Sequence, residues 1–271
     1  MGTSFVRHPA VAGQFYPKDP NQLMADVQSY LHVEARPAPA FGCVAPHAGY
    51  IYSGHVAGAV YAHVAVPERC IVLCPNHTGV GAPLSIMTNG IWETPAGNVE
   101  IDSSLATSLV NAFPVLTEDS DAHRGEHAIE VQLPFLLARR KDLKFVPIAI
   151  GTRRYELLEG VGIAMANVLE SMGDRVMMIA SSDMNHYESD PVTRVKDHKA
   201  IEKILALDPA GLYEVVTQEN VSMCGYGPTI AMLTAAKRMG ATSAELVKYA
   251  TSGDVSGDRR MVVGYAGIVV K

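Results

Sequence analysis

Short, almost wholly apolar runs alternate along this chain with longer stretches in which apolar residues recur at helical spacing. That is the pattern of strands buried on both faces and connected by amphipathic helices. Phe41 to Ala45, Arg69 to Cys74, Leu143 to Ile150 and Arg175 to Ala180 read as core strands. Helices are predicted from a cap at Asp19 or Asn21 to about His32, from Ser53 to about Val66, and from Asp102 or Ser103 to about Ala112. Others run from a polar loop at His123 to Glu130 on to about Arg140, with Pro134 as a kink, and over Tyr155 to Glu170. Pro191 to Leu207, Pro209 to Gln218 and Pro228 to Met239 complete the set. Residues 5 to 17 form a packed arm, 34 to 40 a linker, and 84 to 101 a hairpin or meander at the sheet margin. Glu245 to Thr251 and Met261 to Val270 are two further strands across a turn-rich loop. The alternation predicts an α/β fold, a mixed and largely parallel sheet between helical layers, as one domain over residues 1 to 271.

Three of the core strands run directly into polar residues suited to a site. The first passes through Ala45-Pro46 into His47, and the second through Pro75-Asn76 into His77. The third runs into Ser181-Ser182-Asp183-Met184-Asn185-His186. In open α/β sheets, ligands bind in the crevice beyond the carboxyl ends of the strands, so polar residues there are candidates for a site. Cys224, in the Gly-flanked turn Ser222 to Gly227 before a helix, is a fourth, and the helix end biases its thiol toward thiolate. Two imidazoles and a thiolate are good ligands for iron, copper or zinc, and a set of three leaves positions open for substrate, water or dioxygen. Asp183 and His186 fit direct ligation, support of the ligands, an acid/base pair, or a loop's own hydrogen bonds. His127 and Glu130, three apart, would share one helical face as an imidazole–carboxylate pair. Cys43, Cys70 and Cys74 lie in the apolar runs and read as core.

Composition narrows the class. Of 271 residues 48% are hydrophobic, enough for a substantial core, and the net charge of -6 comes without any Lys/Arg cluster interleaved with aromatics, which argues against a nucleic-acid surface. No apolar run reaches the roughly 20 residues that span a bilayer. Met1 to His8 lacks the order of a signal peptide, and Val6 breaks the myristoylation pattern that Met1-Gly2 begins. The expectation is a cytoplasmic protein with free thiols. No His-Glu-x-x-His, Walker loop or Gly-x-Ser-x-Gly elbow occurs, and Leu84 breaks the dinucleotide pattern begun at Gly79, so nucleotide cofactors are not expected.

Several of these stretches together resemble the Memo family, in particular its microbial members called AmmeMemoRadiSam system protein B. The matching pieces are Pro9 to Pro17, Ala45 to Tyr50, Pro75 to His77, Glu126 to Glu130, Ser181 to His186, Met223 to Gly225 and Ser252 to Asp258. The resemblance implies a three-layer α/β/α fold similar to class III extradiol dioxygenases of the LigB type. It implies metal ligands at His47, His77 and Cys224, with Asp183 and His186 lining the same pocket. Cysteine stands where those dioxygenases have glutamate, and a softer thiolate favours copper as well as iron. The family's association with iron, copper and redox roles carries the expectation of a redox-active, non-haem iron or copper site, with zinc as a further candidate. AMMECR-type and radical-SAM proteins are the implied partners. Asp183, His186 and His127 are the candidate acid/base residues, acting on a small ligand or dioxygen at the metal. The rivals are an extradiol-type dioxygenase, an interaction protein with a retired pocket, and a metal-free cysteine hydrolase using Cys224 and one histidine.

Overall fold

The apolar runs pair as their burial on both faces requires. In the computed structural model, which describes residues 5–271, Lys144–Ile150, Arg69–Pro75, Val176–Ser181 and Gly42–Ala45 lie side by side in that order, all parallel. Met1 and Gly2, the positions that bear on a leader or an acyl site, lie outside the described residues. Parallel strands of one sheet need long crossovers, and the helices Tyr50–His63 and Tyr155–Met172 supply two of them, each passing over one intervening strand. Val262–Val270 and Ala244–Thr251 extend the sheet antiparallel on one side, and Gly97–Ile101, Ile91–Thr94 and Val6–Arg7 extend it on the other. The sheet is therefore mixed and largely parallel at its centre. Helices cover both sides: Tyr155–Met172 packs with Ser103–Ala112 and Tyr226–Arg238, while Tyr50–His63 packs with Pro20–Leu31 and Leu133–Arg139. No helix among the described residues is long and apolar enough to cross a membrane. Cys43, Cys70 and Cys74 are fully buried in the core, as their runs predict.

Three local expectations are corrected. The helix after His47 begins at Tyr50 with Gly49 as its cap, not at Ser53, because Tyr50 N donates to Phe15 O at 2.7 Å and the arm fixes where the first turn starts. Pro134 makes no kink: a separate 3-10 turn, Glu130–Gln132, precedes it, and the proline stands in the first turn of Leu133–Arg139, where its missing N–H costs nothing. The loop after Thr251 holds a short helix, Ser252–Ser256, whose start is closed by a reciprocal Thr251–Asp254 capping box.

The arm is clamped by a buried ion pair. The Arg7 guanidinium pairs with the Glu130 carboxylate and donates to Glu126 O at 2.7 Å and His123 O at 3.1 Å, and its plane lies 4.4 Å from the centre of the Trp92 ring. Glu130 also accepts from Ala10 N, Val11 N and the Tyr16 hydroxyl, at 2.8, 3.1 and 2.5 Å. The predicted pairing of Glu130 with His127 is therefore not made, because the carboxylate turns inward and is saturated by the arm. Behind it His123 is fully buried, with neither ring nitrogen bonded to a described residue.

Burial, then the Arg7 charge, lowers His123 from 6.5 to about 4. Between those values the unfolded chain binds the proton and the folded one does not, so stability falls as pH falls through this window, by up to about 3 kcal/mol. Asp183, held up to about 7 by burial, acts in the opposite sense, since its folded carboxyl takes up a proton first as pH falls. The contribution of His123 is isolated by the stability difference between the wild type and His123→Leu, followed by urea unfolding from pH 7 to 4. It should shift toward the variant by up to about 3 kcal/mol, and a difference independent of pH would refute the assignment.

Candidate metal centre

The central strands end within one residue of the same level. Ala45 lies opposite Ser181, and Leu73 opposite Ala180. His47, His77 and Asp183 each stand two residues past the end of a strand, and the three ends lie within one residue of the same level, so all three side chains come to one edge of the sheet. Cys224 comes from the far side, at the turn into Tyr226–Arg238. Gly225 makes that approach: a Cβ there would lie 2.4 Å from both Ser181 O and Ser182 Cβ, so only glycine lets the turn press against the strand end. The donor atoms of His47, His77 and Cys224 lie within 4.8 Å of one another.

Hydrogen bonds fix which nitrogen each histidine offers. Ser181 Oγ donates its one proton to Ala128 O at 2.6 Å and accepts from Gln132 Nε2 at 2.8 Å. It can then only accept from His47 Nδ1, 3.0 Å away, so Nδ1 carries the hydrogen and Nε2 presents a bare lone pair. That lone pair faces Cys224 Sγ at 3.2 Å. His47 is 2% exposed, and burial, followed by the neighbouring His77, His127 and His186, holds its pKa well below the usual range, which keeps it neutral and able to ligate. Gln132 in turn accepts from Tyr61, so a buried chain of polar groups holds the ring.

His77 is set by a carboxylate. Glu126, fully buried, accepts from His77 N at 2.7 Å, His77 Nδ1 at 2.9 Å and Ala128 N at 2.9 Å. Burial works against protonation of His77, but the Glu126 carboxylate outweighs it and raises the pKa. With Nδ1–H directed at Glu126, Nε2 is left to point outward, the arrangement in which a carboxylate orients a metal-binding histidine. His77, Glu126 and His127 also form a second close group, but three donors already occupy Glu126, so orientation of His77 is the role its bonds support. Glu126→Gln should weaken metal affinity by about 10–100-fold while leaving the fold intact, as read by competition with a chelator. Unchanged affinity would show that Glu126 does not orient the ligand.

The remaining predicted residues surround this group. Asp183 is buried, accepts from His47 N at 2.7 Å, and is pushed up to about 7 by burial against the pull of those backbone bonds. His186 is half-buried, with Nδ1 2.9 Å from Ser222 O, so that nitrogen is the donor and Nε2 is bare; burial lowers its pKa. The His127 ring stacks on His77, 4.7 Å between centres, and stands edge-on to His47 at 5.4 Å. Its near carboxylate is Glu126 at 3.5 Å rather than Glu130. The thiolate bias expected at Cys224 is overturned: burial, then the Asp183 carboxylate, pushes its thiol up, because desolvation of a charge outweighs the helix end. Glu126, Ser181 and Gln132 carry no sequence signal of their own. The first two lie inside motifs that stand out for their neighbours, while Gln132 lies outside any such motif.

A family model described as Memo-like protein matches residues 7–269. A MEMO1 family protein of Methanopyrus kandleri is 47% identical, with 98% of this chain and 99% of the relative covered. One of Methanosarcina barkeri is 46% identical over 98% of this chain and 100% of its own, and one of Methanocaldococcus jannaschii 42% over 98% and 99%. The crystal structure of an uncharacterized protein from Escherichia coli K12 aligns with a TM-score of 0.52 at 12% identity, covering 84% of this chain and 98% of that one, a likeness of fold.

Proposed function

This chain belongs to the Memo-like family, and on that footing we propose that it is a metal-binding protein with a redox role, its iron or copper ion held by His47, His77 and Cys224. The observation that carries the reading is the meeting of these three donor atoms within 4.8 Å, with Nε2 of both imidazoles left bare by bonds to Ser181 and Glu126. Nitrogen and sulfur donors suit iron, copper and zinc and do not suit magnesium or calcium. When bound, such an ion supplies redox chemistry and open positions for a small ligand. Around it the chain's own groups handle protons: Asp183, with a pKa near neutrality, can give or take one, and the bare Nε2 of His186 can accept one. The 3.2 Å contact of Cys224 with His47 also has the form of a hydrolase pair. Burial, which keeps the metal-free thiol protonated, weighs against that use.

Elemental analysis of protein purified without oxygen tests the proposal. Iron or copper at about one ion per chain is the expected result. Zinc in their place would overturn the redox role, and no bound metal would overturn the centre itself.

A further inference from the structure

Beside the donor cluster lies a cavity of about 680 Å³, bounded by His77 and Cys224, the loop after Ile150, and the helices Pro209–Gln218 and Tyr226–Arg238. Its wall is unlike the rest of the molecule in charge. The chain carries 28 acidic and 22 basic residues, yet among the described residues that line the cavity there is no aspartate, glutamate or lysine. The formal cation in the wall is Arg153. It is exposed and makes no ion pair or hydrogen bond to a described residue; Arg154 beside it is equally without an ion pair but lies outside the cavity wall. Tyr213 and Tyr226 form an aromatic part of the same wall, their rings 6.4 Å apart. Tyr226 comes directly after the Cys224-Gly225 turn.

An unpaired guanidinium on an acid-free wall matches a carboxylate or phosphate, which it can hold through two parallel hydrogen bonds. We infer that this cavity binds a small organic anion, its charged group held by Arg153, its body against Tyr213 and Tyr226, and its other end directed to the donor cluster. Only the last of these contacts rests on the metal-centre reading. The Arg153 contact belongs to the protein with or without an ion, and it selects against neutral and cationic molecules of the same shape.

The test uses the full chain stripped of metal, at low ionic strength so that an exposed charge is not screened. Calorimetric titration is run with benzoate, inorganic phosphate and benzamide on the wild type, Arg153→Ala and Arg154→Ala. Arg154 is the control, an exposed neighbouring arginine outside the cavity wall. The expected result is saturable binding of benzoate or phosphate, weakened about tenfold or more in Arg153→Ala and unchanged in Arg154→Ala. Binding of one anion alone supports the site and identifies its charged group. No saturable binding of either anion, equal losses in the two variants, or benzamide bound as tightly as benzoate would overturn it. Metal analysis of the untreated protein is a separate readout, so absence of metal there would sink the centre and leave Arg153-dependent anion binding standing.

Discussion

Cys224→Ser is expected to lose its metal while keeping its fold. The hydroxyl that replaces the thiol is a harder, shorter donor that does not ionise near neutral pH, so it cannot offer the charged sulfur that soft or borderline ions favour. The loss should exceed the roughly 10–100-fold expected when a supporting partner such as Glu126 is removed, because a ligand itself is lost. The substitution is nearly isosteric at a half-buried turn whose fit depends on Gly225, so circular dichroism and the unfolding midpoint should barely move. His47→Ala should give the same metal loss by a different route, removing the nitrogen whose tautomer Ser181 sets. Elemental analysis of both variants beside the wild type is the check. Full metal content in both would show that the ion is held elsewhere.

Glu130→Gln should destabilise the protein by about 3–5 kcal/mol, because it leaves the Arg7 guanidinium buried without its counter-charge. Three further donors, Ala10 N, Val11 N and the Tyr16 hydroxyl, lose their charged acceptor in the same change. Urea unfolding measures the loss, and faster proteolytic cleavage within residues 5 to 17 should accompany it, since the clamp holds that arm. Arg7→Met combined with Glu130→Leu should cost less than Glu130→Gln alone, because no charge is then stranded. A cost under about 1 kcal/mol for Glu130→Gln would place the pair among weak surface interactions and refute the clamp.

The residues behind these two expectations differ sharply in legibility. His47, His77 and Asp183 can be singled out because an apolar run that stops abruptly at a polar residue marks a strand end, and strand ends in a parallel sheet share an edge. Glu130 is visible only as a carboxylate three residues from a histidine, a spacing that suggests a helical pair. Its true partner, Arg7, is far away along the chain in the arm, and no local periodicity links them. The same blindness covers Gln132, whose contacts with Ser181 and Tyr61 come from two other elements. At Cys224 the local cue points the wrong way: a helix start favours thiolate, but the surroundings assembled by the fold desolvate the sulfur and reverse the effect.

The order of residues is enough to specify the layered α/β architecture, the core strands and the side chains standing at their ends. Burial of apolar runs and the spacing of helical faces are short-range properties, written within a dozen residues. The meeting of Cys224 with the two imidazoles, the nitrogen each ring presents and the pinning of the arm come only from the packed chain. Those outcomes depend on hydrogen-bond directions and desolvation between segments remote in the chain, quantities that exist only once the segments have come together.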